Sequence, residues 1–435
     1  MTVQDCDGDA AAAAGGLAEG AADSYRALPP EAARLYRLLG LHPGPDFGVG
    51  VAAAAAELPP AEAAGLLERL AGGHLVERAG PDRYRLPDAA RADARARVPR
   101  ECGPAEPAAA VHRMARWYLE TAAAADMVLM PDRWRLGPVY DRLRSRAGAA
   151  DGSPEAALGV LEAERANLRA IVRAAEEYGF DELVWQLCEA LWGLYFRHGH
   201  HDDWLDTHRR GVAAAERCAD LRAEGRMRCQ LGFALLALER WEEAEEQFTG
   251  AERADGSAGH RRGEATALEF LGLLRMRQSR WADALMVLEQ ARELAAELGD
   301  PRALALLEHH IGRALGGEGR YADAERQLTR ARELMARLPD PYNEARVMTS
   351  LAEVLLAEGR ATEAAGVLAT VAEVMEREQA AGQSAAVAEL RSRVAERLGD
   401  RDGALRHARR ALDGYRTLGT PRAERLRERV RELEG

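Results

Sequence analysis

From about residue 225 the hydrophobic and small residues of the chain recur every 40 residues. An aromatic side chain opens three successive copies of the pattern, at Trp241, Trp281 and Tyr321. The further columns are Ala244, Ala284, Ala324, Ala364 and Ala404; Phe248, Leu288, Leu328 and Leu368; Ala251, Ala291 and Ala331; and Leu231-Gly232, Leu271-Gly272, Ile311-Gly312 and Leu351-Ala352. Self-similarity at a fixed spacing predicts a repeat array.

Within one copy, the aromatic, alanine, apolar and second alanine positions form one stripe of an α-helix. The upstream Leu-Gly pair lies on a preceding helix, where its small residue allows two helix backbones to approach closely. A short turn such as Glu239-Arg240 joins the two helices. This order resembles the tetratricopeptide repeat, whose ordinary unit has about 34 residues, so the longer period predicts longer helices or linkers. HEAT and armadillo repeats share the longer period but not this order of residues.

The pattern weakens at both ends of the array. Ala361 replaces the aromatic residue, and the final helix, residues 422–434, is mostly charged with a thin apolar stripe, which is typical of a polar cap. Upstream, His201 and Trp204 fall in register and predict a degenerate repeat over residues 181–217. Further helices are predicted at residues 111–129 and from residue 161, and residues 99–109 read as a linker rich in Pro, Gly and Ala.

Residues 28–98 show a different pattern. Three helices are predicted at Pro30–Gly40, Val49–Ala56 and Pro60–Leu70, and two short runs around the turn at residues 79–82 predict a β-hairpin. Three helices and a hairpin indicate a winged helix.

The predicted fold class is therefore mainly α: a right-handed α-superhelix of tetratricopeptide type preceded by a small winged-helix-like domain. The predicted segments are a disordered one at 1–27, the winged helix at 28–98, a linker at 99–110, a helical region with degenerate repeats at 111–220, and the repeats with their capping helix at 221–435.

Composition narrows the possible functions. The 435 residues include 59 basic and 71 acidic ones, a net charge of −12, which argues against a chain that wraps nucleic acid. Every basic residue is arginine, so mechanisms that need a lysine ammonium group are excluded. The acidic N-terminus, the absence of a run of 18 apolar residues and five scattered cysteines predict a reduced, cytoplasmic protein with no membrane partner.

Several segments resemble actinobacterial regulators of the STAND class, in the NB-ARC branch. Residues 35–47 resemble their winged-helix segment, and Tyr84–Asp88 resembles their methionine-histidine-aspartate site. Residues 117–122, 161–168 and 199–204 resemble their connecting helices. The resemblance covers about residues 30–220, after which the repeats continue as they do in that family.

The resemblance has departures that change what it implies. Members of the family carry an ATPase module with a phosphate loop and a lysine before the winged helix, whereas 27 low-complexity residues stand there in this sequence. The family's histidine that contacts nucleotide phosphates is replaced by Pro87. The resemblance therefore implies the sensor half of such a regulator, lacking the ATPase module and binding no nucleotide or other cofactor.

Two other motifs have weaker functional interpretations. The residue types of Gly48–Ala53 match a dinucleotide-binding fingerprint, but a His-Pro-Gly-Pro run precedes them where a β-strand is required. His198–Asp203 has the composition of a zinc site. We favour an inter-helix turn there, with the two aspartates in the first turn of the next helix, where its dipole stabilises carboxylates.

DNA binding by the winged helix is a possible function with little support in the sequence. Arg91, Arg95, Arg97 and Arg100 follow the hairpin and have the charge to contact phosphates. The candidate recognition helix, Pro60–Leu70, carries two glutamates against one arginine, however, and offers little that reads base edges.

The sequence contains no hydrolase signature, so we predict that the protein is not an enzyme. Solenoids bind partners on their concave surface, which the first helix of each repeat lines. The predicted inward-facing residues are Arg226, Phe233, Glu269, His309, Arg313, Arg346, Thr349 and Glu353. This mixture suits a peptide or helical segment of a protein partner. We predict a regulatory or adaptor protein in signal transduction; the alternative is a transcriptional regulator with a DNA-binding winged helix and effector-sensing repeats.

Overall fold

The computed structural model describes residues 23–146, 152–338, 340–378 and 380–435. They form two compact units. One contains residues 23–127, 137–146 and 157–190, and the other contains residues 128–136, 152–156 and the described residues from 191 onward. The fold is mainly α, as the sequence predicts, and the repeats form an α-superhelix. The domain boundaries remain predictions.

Short helices and a small sheet occupy the N-terminal part of the chain. The helices up to residue 190 are α1 (Pro30–Leu39), α2 (Val49–Ala56), α3 (Pro60–Gly72), α4 (Asp88–Glu101), α5 (Glu106–Leu129), α6 (Val139–Arg144), α7 (Pro154–Glu177) and α8 (Asp181–Ala190). The strands are β1 (Phe47–Gly48), β2 (Glu77–Gly80) and β3 (Arg83–Arg85). The three helices and the hairpin predicted for the winged helix are all present.

The sheet has the order β1-β3-β2, and both pairings are antiparallel. Phe47 of β1 lies opposite Tyr84 of β3, and their rings stack with centroids 6.4 Å apart. The sequence analysis missed β1, because two residues after a His-Pro-Gly-Pro run carry no alternating pattern.

The segment predicted to be disordered, residues 1–27, is only partly described. Residues 1–22 lie outside the described residues, but residues 23–26 form a helical turn, contrary to the prediction. Tyr25 is buried there with its ring centroid 5.6 Å from that of Tyr36, and the Arg97 guanidinium lies 3.7 Å from the Tyr25 ring centroid. One well-placed aromatic side chain is enough to anchor this short turn.

The predicted linker is mostly helical, which corrects the interpretation of residues 99–110. Helix α4 continues through Pro99 to Glu101, and α5 begins at Glu106. A proline in the last turn removes few hydrogen bonds, and alanine, which suggested a linker, is the best helix former. Val98 and Ala110 are both buried.

Paired helices of nearly constant length form the remainder of the second unit. They are α9 (Trp192–His198), α10 (His201–Arg217), α11 (Leu221–Ala237), α12 (Trp241–Ser257), α13 (Arg261–Arg277), α14 (Trp281–Glu297), α15 (Pro301–Gly317), α16 (Tyr321–Met335), α17 (Pro341–Ala357), α18 (Ala361–Arg377), α19 (Ala381–Arg397), α20 (Arg401–Thr417) and α21 (Arg422–Glu434). From α11 to α20 every helix except the 15-residue α16 has 17 residues. Longer helices, rather than longer linkers, therefore explain the 40-residue period.

The repeat columns occupy different layers of this array. The alanines from Ala244 to Ala404 are fully buried where the helices cross. An added Cβ on Gly232 would lie 2.5 Å from the Phe248 ring, and one on Gly272 would lie 2.6 Å from Leu288, so the close approach predicted for the glycine column is present. The aromatic column, by contrast, is only half-buried.

Helix α21 ends the array. It buries Ala423, Leu426, Val430 and Leu433 against α20 and leaves its charged residues in solvent, as expected for a cap. No helix in the described ranges combines the length and the apolar character needed to cross a membrane.

Candidate ligand cavity in the repeat array

Helices from the beginning and the end of the array contact each other, so its inner surface forms a partly open cavity. At one contact Arg425 of α21 donates two hydrogen bonds, of 2.6 and 2.9 Å, to the carboxylate of Glu239, which follows α11. At another, Arg197 of α9 donates to the backbone carbonyl of Glu378, which follows α18. Phe196 and Tyr342 also approach, with ring centroids 6.3 Å apart.

Two adjoining cavities lie inside this closed array, with volumes of about 310 and 440 Å³. They share several lining residues, among them Glu239, Trp241, Arg277, Arg313 and Arg422. Their volumes are within the range of pockets that bind small ligands. Volumes of this size suit a short chain segment or a small molecule better than the surface of a folded protein.

Aromatic side chains form one wall of the smaller cavity. Trp204 of α10 is only 2% exposed, and its ring stacks on Tyr195 with centroids 5.7 Å apart. Phe233 of α11 lies 6.3 Å from Trp204 and 5.4 Å from Trp192, centroid to centroid. Leu236 and Leu273 extend this surface, which is suited to an apolar side chain.

Another part of the lining is basic. It consists of four arginines from four helices: Arg277 of α13, Arg313 of α15, Arg346 of α17 and Arg422 of α21. Among the described residues none of the four forms an ion pair. Arg346 donates to the side-chain carbonyl of Asn343 at 2.7 Å, and Arg422 donates to the Tyr415 hydroxyl at 3.2 Å. Arg277 and Arg313 have no hydrogen-bond partner in the described parts of the chain.

The environment of these arginines disfavours their charge. Surrounding protein atoms, followed by Arg422 and Arg313, lower the pKa of Arg277 to about 10. Burial, Arg346 and Arg422 likewise lower the pKa of Arg313, and Glu353 partly opposes this effect. The Arg277 side chain is nevertheless exposed to solvent, so it stays charged at pH 7.

Acidic side chains do not balance this charge. The lining contains two glutamates, Glu239 and Glu353. Glu239 is already paired with Arg425, and Glu353 lies within electrostatic range of Arg313 without a direct ion pair among the described residues. The cavity interior is therefore positively charged in a protein whose net charge is −12.

Buried polar atoms at the cavity wall add donors. Trp204 Nε1, Thr420 Oγ1 and His309 Nδ1 are buried and have no hydrogen-bond partner in the described ranges, and all three residues line the smaller cavity. Burial, followed by His310, Arg346 and Arg313, holds the pKa of His309 well below its usual range, so this ring stays neutral.

Most of the predicted concave-face residues line the cavity: Phe233, His309, Arg313, Arg346, Thr349 and Glu353. Arg226 and Glu269 do not, which corrects the prediction for these two. The Arg226 guanidinium lies 4.1 Å from the Trp134 ring centroid and donates to the Trp134 carbonyl at 3.0 Å. Glu269 Oε1 lies 3.1 Å from His310 Nε2. Residues 128–136, outside the repeat register, occupy the space that Arg226 was expected to face.

Sequence reasoning missed many lining residues, among them Trp204, Arg277 and Arg422. Arg277 could have been found, because it stands one helical turn after Leu273, on the inward-facing stripe. The sequence analysis assigned Trp204 to packing; the residue packs against Tyr195 and also lines the cavity. Arg422 belongs to the capping helix, whose position the 40-residue register does not determine.

Two other candidate motifs lie at the beginnings of helices. His201 begins α10 and its ring stacks on Trp204 with centroids 6.2 Å apart, and Asp202 and Asp203 lie in the first turn, as predicted. Gly48–Ala53 contains the start of helix α2 rather than a phosphate loop after a long strand.

The arginines after the hairpin bind within their own unit. Arg91 donates to the carbonyl oxygens of His42 and Gly44, at 2.7 and 3.0 Å, and Arg95 donates to that of Gly40 at 2.7 Å. On the candidate recognition helix α3, Glu68 accepts hydrogen bonds from Arg78 and Tyr84. These contacts hold Arg91 and Arg95 against the backbone of their own unit and pair a carboxylate of the candidate recognition helix with Arg78.

Comparison with known proteins agrees with this architecture. Residues 263–337 match the family model described as tetratricopeptide repeat. The regulatory protein AfsR of Streptomyces coelicolor is 33% identical over 239 residues, which are 54% of this chain and 24% of that protein. AfsR of Streptomyces griseus is 47% identical over 77 residues, 18% of this chain and 8% of that protein. The chain thus spans about a quarter or less of these relatives.

One similar solved structure is that of a signal transduction ATPase with numerous domains and a tetratricopeptide-repeat sensor, from Pyrococcus horikoshii. It is 15% identical, with a TM-score of 0.44, and the match covers 94% of this chain and 61% of that one. Residues 263–337 therefore carry tetratricopeptide repeats, and about half of the chain is similar to one part of the regulatory protein AfsR.

Proposed function

We propose that this chain is a non-catalytic regulatory protein that binds one extended polypeptide segment of a partner protein inside the closed repeat array. The observation that carries the proposal is the cavity, with an aromatic wall around Phe233 and an arginine wall around Arg313. Tetratricopeptide repeats are protein-interaction modules, and the relatives named AfsR are regulatory proteins.

The volume of the cavity favours a short polypeptide segment as the ligand over the surface of a folded protein. Specific interfaces between folded proteins bury on the order of 1,600 Å² in total, which a cavity of this size cannot supply. A short segment needs only a few anchoring side chains, and aromatic and arginine residues are the types that most often dominate binding energy.

The experiment is affinity capture from a lysate of the source organism with a matched pair of variants. Thr349 lines the cavity and its hydroxyl donates to the Ala345 carbonyl at 2.8 Å. Thr266 of α13 makes the equivalent bond to the Arg262 carbonyl, at 3.0 Å, and lines neither cavity. We expect wild type and Thr266→Trp to retain a polypeptide after nuclease treatment, and Thr349→Trp to lose it.

Unchanged capture by Thr349→Trp would contradict binding in the cavity, provided that its circular dichroism spectrum matches that of the wild type. Nuclease-sensitive material in the eluate, without a polypeptide, would instead favour the DNA-binding alternative. Thr266→Trp controls for the bulk and the apolar character of the introduced side chain.

A further inference from the structure

The charge of the cavity identifies the chemistry of its ligand more closely than the fold does. We propose that the cavity binds an acidic peptide segment, whose carboxylates contact Arg277, Arg313, Arg346 and Arg422 while an apolar side chain packs against Trp204 and Phe233. This inference rests on the proposed function and specifies the class of segment.

Unpaired charge is the first line of support. The chain has more acidic than basic residues, 71 against 59, and elsewhere its arginines commonly have carboxylate partners, as Arg275 has Glu245 and Arg302 has Asp340. Four arginines nevertheless line one cavity without an ion pair in the described parts of the chain. Concentrating unpaired like charges disfavours the empty state, and an anionic ligand would remove this penalty.

The arrangement of the arginines favours an extended ligand over a single compact anion. They come from four helices, α13, α15, α17 and α21, and Arg346 lines only the smaller cavity, whereas Arg277 and Arg422 line both. Guanidinium groups form bidentate hydrogen bonds with carboxylates, so this arrangement suits several carboxylates along one chain.

The aromatic wall sets a second requirement for the ligand, an apolar side chain. A free inorganic anion would leave Phe233 and Leu273 in contact with water, whereas a peptide supplies an apolar side chain next to its carboxylates.

The test is affinity selection from an unlabelled, fully random hexapeptide pool with the full chain, followed by mass spectrometry of the retained peptides. For the wild type we expect Asp and Glu to be enriched at least fivefold over their abundance in the pool. We expect R313Q/R422Q to lose this enrichment. The control R253Q/R416Q removes the same charge from two exposed arginines outside the cavities and should keep it.

Three results would overturn the inference: no peptide retained by the wild type, enrichment of neutral or basic peptides, or unchanged acidic enrichment in R313Q/R422Q. Displacement of the retained peptides by submillimolar inorganic phosphate would also overturn it, in favour of a phosphate-bearing ligand. Because R313Q/R422Q removes two unpaired like charges, its melting temperature should equal or exceed that of the wild type, which separates lost binding from lost folding.

The proposed function and this inference fail separately. If Thr349→Trp abolishes capture of a polypeptide but the selected peptides carry no acidic bias, the cavity binds a partner of different chemistry and only the inference is wrong. If Thr349→Trp instead has no effect on capture while acidic peptides are still selected through the arginines, the cavity binds acidic peptides, and the protein partner binds elsewhere on the chain.

Discussion

At the scale of single residues, most of the described turns from α10 onward place one residue in the left-handed backbone region. Glycine occupies most of these positions, for example Gly259 and Gly299, with φ of 62° and 61°. In three of these described turns the residue is instead Ala219, Glu239 or Ser279, with φ of 52°, 59° and 58°. Side chains other than glycine are disfavoured in this region.

Replacing such a residue with glycine should stabilise the fold. We expect Ser279→Gly to raise the free energy of unfolding by roughly 0.5–1 kcal/mol, because relief of backbone strain exceeds the extra entropy of glycine in the unfolded chain. Gly299→Ala should lower it, since Gly299 has open space around it and only its φ resists the change. Urea unfolding measures both, and effects of the same sign would contradict this explanation of the turns.

Buried histidines determine how stability depends on pH. His208 is fully buried with its Nε2 3.0 Å from Gln230 Oε1, and burial lowers its pKa to about 4. In the unfolded chain a histidine has a pKa of about 6.5. Below that pH the unfolded state binds a proton that the folded state does not, so stability is complete above pH 6.5 and falls as the pH approaches 4.

Each buried histidine of this type should lower the free energy of unfolding by roughly 1.4 kcal/mol for each pH unit between about pH 6.5 and pH 4. We expect His208→Gln, which retains hydrogen-bonding groups next to Gln230, to reduce the loss of stability between pH 7 and pH 5 by about 2 kcal/mol. Denaturant unfolding at the two pH values measures the difference. Equal losses in the variant and the wild type would show that His208 is not the titrating group.

At the scale of elements, the repeat columns predicted helix positions well because every pair of helices makes the same local contacts. The Ala244 and Phe248 columns therefore identified the crossing points directly. Elements that depend on distant partners were not predicted. Strand β1 exists only because Tyr84 pairs with Phe47, and Tyr25 is ordered by Tyr36 and Arg97.

The residues of the candidate site differ in the same way: those that follow the repeat period were predicted, and those that depend on other segments were not. Phe233, Arg313 and Glu353 occupy one column of the first helices, and all three line the cavity; their role in binding stays a prediction. The helical period misplaced Arg226, because the segment that covers it comes from outside the array, and it missed Arg422, because the cap has no register.

The glycine column offers a test of the helix crossings. Gly232→Ala places a methyl group against the fully buried Phe248, and we expect it to lower the free energy of unfolding by about 1–3 kcal/mol. Gly256→Ala lies in α12 with nothing within 4 Å and should raise it by up to about 1 kcal/mol. Thermal or urea unfolding compares the two, and a neutral Gly232→Ala would mean that α11 and α12 do not cross at this position.

At the scale of the whole repeat unit, closure of the array makes the cavity. The contact between Arg425 and Glu239 joins residues 186 positions apart in the sequence, and α9 meets α19 on the other side. Neither contact follows from the repeat period, which predicts an extended concave surface. The end contacts turn that surface into a cavity, whose lining includes the arginine of the cap together with those of the first helices.

The central claim, that a polypeptide segment binds inside the closed array, is tested most directly by site-specific photocrosslinking. Phe233 replaced by p-benzoylphenylalanine puts the reactive group in the cavity, and Met286, which is 59% exposed and outside the cavity lining, is the matched position. We predict a crosslinked polypeptide from position 233 and none from position 286. Crosslinking from position 286 alone would contradict the claim and place the partner on the outer surface.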